Sequence, residues 1–327
     1  MRRILLVKTS SLGDVVHNLP VASDLRAHCP EVEIDWAVED NLADIPALHP
    51  AVSRVIRVAP RRWRRTIASP ATWRELGELR RTLHARAYDV VIDTQGLFKS
   101  ALIARLAPGR RVGLDWMSAR EPLFPFYHRT YRVSWALHAV ERNRQLAARA
   151  MGYTPTSGVD YGIQTPPISS AADLHLDGYA VLLHATSART KLWPEHLWVE
   201  LGGFLRRQAE GMHMVLLWGS DVERRRSERI AGLLERASVP ARMSLRDAAG
   251  LLGRARVVFG VDTGLTHLSA ALGTPTIGIY CATDPAATGP YGSENAVSVG
   301  GRNGPPALAA VISAWHRLQG TTAPVQA

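Results

Sequence analysis

Residues 262–267, Asp262-Thr263-Gly264-Leu265-Thr266-His267, follow an apolar run at 255–261 of buried-strand type. They precede Leu268-Ser269-Ala270-Ala271-Leu272-Gly273, which reads as a helix closed by Gly. A strand that turns on Thr and Gly into a helix presents unpaired backbone N–H groups at the positive end of a helix dipole. That is an anion site, and a diphosphate is its usual occupant. Asp262 and His267 add a carboxylate and an imidazole at its edge, so the segment points to a nucleotide-activated substrate.

Five further segments carry polar groups at strand ends or in a charged cluster. In residues 8–14, Lys8-Thr9-Ser10-Ser11-Leu12-Gly13-Asp14, Asp14 stands at a helix start. It is either a cap for orphan N–H groups or a carboxylate able to take a proton from a hydroxyl. Residues 184–194 hold Thr186, Ser187 and Lys191 in a loop after a strand, hydroxyls and an ammonium suited to phosphate oxygens. In residues 218–223, Glu223 either binds a ribose diol, as acids do in nucleotide sites, or completes an N-cap. Residues 95–100 set Gly96 at a strand end and Lys99 at a helix start, a weaker anion signal or a plain turn. Residues 61–65, Arg61-Arg62-Trp63-Arg64-Arg65, gather four guanidiniums around one Trp. Such a patch is either a solvated loop or a contact for phosphate, carboxylate or a lipid headgroup, with Trp at the interface.

The elements that position these groups alternate. Strands are expected at 3–7, 33–38, 52–58 and 89–93, and helices at 15–28 (with a kink at Pro20), 73–87 and 99–106. After a Pro-, Ser-, Thr- and Gly-rich pause at 154–177 the pattern restarts. Strands are expected at 179–184, 213–218, 256–261 and 276–280, and helices at 194–208, 223–236, 246–253 and 306–319. Strands alternating with helices predict parallel sheets covered on both faces. The reading is α/β, with a first unit at 1–160, a linker at 161–177, a second unit at 178–305 and a closing helix at 306–320 that packs back toward the first. The tail from Gly320 is expected to fray.

With 327 residues and 46% apolar content the chain has ample material for two cores. Cys29 and Cys281 fit no metal or redox spacing, which suits a reducing, cytoplasmic setting. Only a few apolar residues separate Met1-Arg2-Arg3 from Lys8, so no signal peptide is expected. The longest uncharged stretch, 263–283, is broken by Gly, Pro, Thr and His and is not read as membrane-spanning. The net charge of +10 is uneven: 24 Lys+Arg face 16 Asp+Glu up to Asp160, against 15 and 13 beyond it. The first half should therefore meet something acidic. An Arg-rich composition alone also raises the charge, and it makes the three lysines, Lys8, Lys99 and Lys191, conspicuous. No nucleic-acid module accompanies the basic patch, so nucleic acid is not expected as a partner.

Taken in order, these motifs resemble glycosyltransferase family 9, the heptosyltransferases of lipopolysaccharide core assembly. The likeness runs from Arg3 to about Gln319. Residues 8–14, 61–65, 93–100, 115–122 (with Arg120), 138–142, 191–194 and 262–267 carry it. The chain departs from the family pattern at Thr186-Ser187 and at Arg189-Thr190.

The resemblance implies a glycosyltransferase-B fold, two facing Rossmann-like domains, each with a parallel sheet, and an active-site cleft between them. It implies transfer of L-glycero-D-manno-heptose from ADP-heptose to the first Kdo of Kdo2-lipid A, with inversion. Alternatives are the family member that acts on the already heptosylated core or, from another class, a nucleotide-sugar 2-epimerase. Carried over, Asp14 would be the general base and Lys191 the cation on the donor diphosphate. Thr186, Ser187, Glu223, Asp262, Thr263, Gly264, Leu265 and His267 would complete the donor site. Ser10, Ser11, Gly13, Arg61, Arg62, Trp63, Arg64, Arg65, Lys99 and Arg120 would face the acceptor. No cofactor or metal would be required. The chain would work as a monomer, peripheral on the cytoplasmic face of the inner membrane.

Overall fold

The computed structural model describes residues 2–168, 178–208 and 212–320. The chain divides into two compact units, Met1–Ile163 and Gln164–Ala327. The expected linker, 161–177, falls partly outside the described residues, as do 321–327 of the tail.

The first unit runs β1 (Arg2–Val7), α1 (Leu12–Val16), α2 (Leu19–His28), β2 (Val32–Glu39), α3 (Asp44–Ala47) and β3 (Val52–Val58). It continues α4 (Pro60–Arg65), α5 (Pro70–His84), β4 (Val90–Asp93), α6 (Phe98–Leu106), β5 (Arg110–Leu114), β6 (Arg129–Tyr131) and α7 (Ala139–Met151). Its six strands are parallel, in the order β3-β2-β1-β4-β5-β6. The chain from β1 builds outward to β3, then returns past β1 to lay down β4, β5 and β6. Ile4, Leu5, Leu6 and Val7 of β1 are wholly buried. Helices cover both faces of a parallel sheet, so a central strand is apolar on both sides.

The second unit repeats this plan. It runs β7 (Tyr179–Leu183), α8 (Glu195–Gln208), β8 (His213–Leu216), α9 (Asp221–Ala231), β9 (Ala237–Ser238) and α10 (Leu245–Leu252). It continues β10 (Val257–Val261), α11 (Gly264–Ala271), β11 (Thr276–Tyr280), α12 (Pro285–Thr288), β12 (Ala296–Gly300) and α13 (Leu308–Leu318). The order β9-β8-β7-β10-β11-β12 is the first sheet's order, strand for strand. Trp193 and Trp198 meet edge to face at 5.1 Å in its core. The closing helix α13 buries Val311, Ala314 and Trp315 and packs on α8, β11 and β12 of its own unit.

Several expected elements take a different form. The helix over 15–28 is two helices broken at His17-Asn18, and Pro20 sits in the first turn of α2 rather than kinking one long helix. Pro fits there because the N–H it lacks has no helical partner in a first turn. The helix expected at 73–87 starts at Pro70, where Ser69 accepts the Ala71 N–H. The Arg-rich run 61–65 is helical, not a loop. β5, β6, β9 and β12 and the whole of α7 have no counterpart among the expected elements.

Each unit has a switch point where strand order reverses, between β1 and β4 and between β7 and β10. Loops at the carboxyl ends of those strand pairs diverge to opposite faces and leave a crevice, where doubly wound sheets bind ligands. Residues 8–14 and 94–97 leave the first pair, and 184–194 and 262–264 leave the second. The strongest sequence motifs therefore occupy equivalent places in two copies of one topology.

Candidate active site

At the first switch point, Lys8 is buried, and its ammonium donates to the Thr94 carbonyl (3.0 Å) and to Asn143 Oδ1 (3.3 Å). Gln95 holds the loop that follows: its Oε1 accepts the Thr9 N–H and hydroxyl (both 2.7 Å), and its Nε2 donates to the Ser10 carbonyl. Asp93, below Gln95, accepts the Gln95 N–H (2.9 Å) and the Tyr127 hydroxyl (2.8 Å). Burial raises the Asp93 pKa against these hydrogen bonds. Asp14, in the first turn of α1, is half-buried, and its Oδ2 accepts the Ser11 N–H and hydroxyl, each at 2.9 Å. The capping role of Asp14 is therefore real. It occupies one carboxylate oxygen.

Asp14, Lys8, Arg120 and Arg142 line one small cavity with Ser118 and Asn143. Arg142 donates to the Ser118 carbonyl at 2.7 Å, and its guanidinium lies 3.4 Å from the Trp135 ring centroid. Burial, with Arg120 adding repulsion, brings the Arg142 pKa down to about 10. Burial lowers that of Lys8 as well; Asp14 and Asp93 pull it back up, and Arg120 and Arg142 push it down. Three cations that repel one another beside one carboxylate favour an incoming anion. Of these cations only Arg120 is among the expected site residues. Lys8 was conspicuous as one of three lysines and Arg142 lay in the motif at 138–142, but their convergence needs α7 laid across the end of β1.

The cationic run on α4 is divided. Arg61 reaches buried Glu39 (3.3 Å) and Ser10 Oγ (3.4 Å), and Lys99 meets the same two groups, Glu39 at 3.3 Å. Ser10, Arg61 and Lys99 thus come together. Arg62 instead forms two hydrogen bonds to Glu75, at 2.8 and 2.9 Å. Trp63 is buried, with its indole N–H on Glu75 at 2.7 Å. This corrects the expectation of Trp63 at a lipid interface or against the acceptor. Successive helical residues turn by about 100°, so one residue of five faces the core and the four arginines cannot all face one ligand. Arg64 and Arg65 are exposed.

At the second switch point, Thr186 Oγ1 donates to the Asp262 carbonyl at 2.9 Å and ties the two strand-end loops together. Asp262 takes the Lys191 ammonium at 2.7 Å and the Thr283 hydroxyl at 2.7 Å on Oδ2, with His267 Nε2 3.6 Å from Oδ1. Burial alone would raise the Asp262 pKa. Hydrogen bonds from His267, Lys191 and Thr283 outweigh it and hold the carboxyl well below the usual range. The N-cap of α11, Thr263, is extended and makes no side-chain cap, so the first N–H groups of α11 face the crevice uncapped. Gly260 fixes this helix end. A Cβ there would lie 2.0 Å from Thr266 Oγ1, the hydroxyl that donates to the Val261 carbonyl. Ser187 is exposed in the same loop region. Glu223 Oε2 accepts the Gly219 N–H (2.7 Å) and the Ser220 N–H (3.0 Å), so that carboxylate caps the start of α9.

His184, wholly buried just past β7, shares a 2.7 Å hydrogen bond with the Ser227 hydroxyl. Burial is the main cause that lowers its pKa from 6.5 to about 4. The folded chain therefore resists a proton that the unfolded chain accepts. Its stabilising contribution is complete above about pH 6.5 and is lost as pH falls toward 4. We expect the free energy of urea unfolding to fall across that window and His184→Gln to remove the share due to this residue. His49, lowered likewise to about 4, supplies a second such group in the first unit.

Among the described residues no group of three or more His, Cys, Asp or Glu side chains is placed to hold a metal ion. None of their helices is long and apolar enough to cross a membrane.

Residues 76–310 match the family model described as glycosyltransferase family 9 (heptosyltransferase). The chain is 46% identical over 293 residues to lipopolysaccharide heptosyltransferase 1 of Salmonella typhimurium, covering 89% of this chain and 92% of that one. It is 45% identical over 300 residues to the protein of the same name from Escherichia coli K12, covering 90% and 92%. The solved structure of E. coli heptosyltransferase WaaC with ADP superposes with a TM-score of 0.86 at 40% identity, covering 97% of this chain and 99% of that one. A UDP-N-acetylglucosamine 2-epimerase from Methanocaldococcus jannaschii, at 13% identity and TM-score 0.55, shares the fold alone. With two parallel sheets in the glycosyltransferase-B plan and a family model matched over most of its length, the chain belongs to glycosyltransferase family 9, the heptosyltransferases.

Proposed function

We propose that this heptosyltransferase of lipopolysaccharide inner-core assembly moves L-glycero-D-manno-heptose from ADP-heptose to the first Kdo of Kdo2-lipid A, with inversion. The observation that carries the reading is the second switch point. An ammonium and an uncapped helix N-terminus share one crevice, in a chain 46% identical to a heptosyltransferase 1. Lys191, the N–H groups of Gly264 and Leu265, and the hydroxyls of Thr186, Ser187 and Thr263 would hold the diphosphate. Asp262 and His267 would position Lys191. Glu223 would reach a ribose only by leaving Gly219 and Ser220. On the first unit, Lys8, Arg120 and Arg142 would take the Kdo carboxylate beside Asp14, with Ser10, Ser11, Gly13, Arg61 and Lys99 at the edge of that site.

The chemistry follows from these placements. Asp14 removes the proton of the acceptor hydroxyl as its oxygen attacks the anomeric carbon on the face opposite the diphosphate. The bond from that carbon to the phosphate oxygen breaks, and its electron pair leaves with ADP. Negative charge grows on the diphosphate, and Lys191 and the helix N–H groups would neutralise it. A single displacement inverts the anomeric centre. A lipid-borne acceptor would be met at the cytoplasmic face of the inner membrane by a peripheral protein.

ADP release from ADP-heptose, measured with and without Kdo2-lipid A or its de-acylated form, tests the reading. Release that requires this acceptor is expected. Turnover without acceptor would move the chain to epimerase or hydrolase chemistry, and release only with a heptosylated acceptor would assign it the next transfer.

A further inference from the structure

A broad concavity of the first unit lies away from the switch point. It is a groove of about 1090 Å³ between α4, α5 and α6, floored by Leu76, Ile103 and Leu106. Around it stand large apolar side chains left in solvent: Trp73 is 61% exposed, Ile67 52%, Phe98 52% and Leu102 44%. Soluble surfaces carry such residues singly; a cluster of them marks a contact. The indole N–H of Trp73 is already spent on the Ile67 carbonyl at 2.9 Å, so what Trp73 shows to solvent is its apolar ring. The rim is cationic, with Arg64, Arg80, Arg105 and Arg111 and His84 facing the same groove. Its one acid, Glu121, accepts the Phe98 N–H. Lys99 closes one end and also reaches Ser10, so the groove runs up to the acceptor side of the first unit.

We infer that this groove is a docking surface for an anionic lipid bilayer, with Trp73, Ile67, Phe98 and Leu102 entering the interfacial layer and the arginines meeting headgroup phosphates. Aromatic and aliphatic side chains ringed by Arg are the chemistry of an interfacial contact. A second copy of this chain would set the cationic rim against itself, which like-charge repulsion disfavours. The inference rests on the reading that the acceptor is lipid-borne, and it explains how a protein without a spanning helix among its described residues meets such an acceptor. The contact is made by the exposed side chains around the groove; Trp63 lines it from beneath but is buried.

The full chain is floated with vesicles of phosphatidylglycerol in phosphatidylcholine. Wild type is expected to bind, and Trp73→Ser/Leu102→Ser to lose about tenfold or more of that binding. Vesicles with brominated acyl chains are expected to quench tryptophan emission in wild type and to quench it less in Trp73→Phe, a variant that keeps an aromatic ring. Equal vesicle binding by the double variant, or the same quench in Trp73→Phe, overturns the proposal. So does a wild-type dimer in sedimentation that the double variant abolishes, since a second copy would then cover the groove. Turnover of the soluble, de-acylated acceptor is expected to be the same in wild type and the double variant. If wild type fails to turn that acceptor over, the transferase reading falls and the vesicle result still decides the lipid contact.

Discussion

Replacing Asp14 by Asn is expected to lower kcat about 100- to 10,000-fold, the range of a lost general base, while the chain folds and binds ADP as before. The argument turns on the two jobs one carboxylate holds. Oδ2 accepts from the Ser11 N–H and hydroxyl, which ties the loop to α1. An Asn side chain supplies a carbonyl oxygen for that purpose, so the cap survives. It has no basicity toward an acceptor hydroxyl, so the proton transfer does not. Asp14→Ala removes both and confounds the two, at about 1 kcal/mol for the cap alone. Steady-state ADP release, binding of ADP by calorimetry and a thermal melt on the Asn variant separate them. If Asp14 only caps the helix, Asp14→Asn retains wild-type kcat and Asp14→Ala loses stability alone.

The parts of this molecule legible in its sequence share a physical origin. β1, β4, β7 and β10 announce themselves because a parallel sheet covered on both faces makes a central strand apolar or small at most positions. The switch-point loops stand out because Thr, Ser and Gly follow those runs, where a strand must turn. The strands that escaped notice lie at or near sheet edges. β9 has two residues, β6 three, and β5 opens on Arg110-Arg111. α7 escaped for another reason: its buried face carries Asn143 and Arg144 among Val140, Leu146 and Ala147. Arg144 is buried because it pairs with Asp24 at 2.8 Å and with Glu141 at 2.8 Å. A guanidinium in a core stripe breaks the apolar period that betrays a helix. The cation cluster at Lys8 depends on that helix and stayed hidden with it. Trp63 misled in the opposite sense, since a lone Trp among arginines reads as surface until Glu75 supplies its inward partner.

Lys191→Met carries the second large effect: kcat/KM for ADP-heptose is expected to fall about 100- to 1,000-fold, the scale of losing one preorganised group aimed at developing charge. The Lys191 ammonium already has a partner. It lies 2.7 Å from Asp262, a carboxylate that hydrogen bonds from His267, Lys191 and Thr283 keep ionised despite burial. An ammonium has three N–H bonds. One turned to Asp262 fixes where the other two point, so the pair orients the cation for phosphate oxygens. The single variant therefore does two things. It strips the leaving diphosphate of its cation, and it leaves Asp262 a buried charge with fewer donors, which costs about 1–3 kcal/mol of stability. Lys191→Met with Asp262→Asn pulls them apart, because the amide removes the stranded charge. Urea unfolding of the double variant should recover most of the lost stability, and kcat/KM should stay down. Recovery of both would mean that Lys191 serves only Asp262, and that the N–H groups at the start of α11 neutralise the diphosphate unaided.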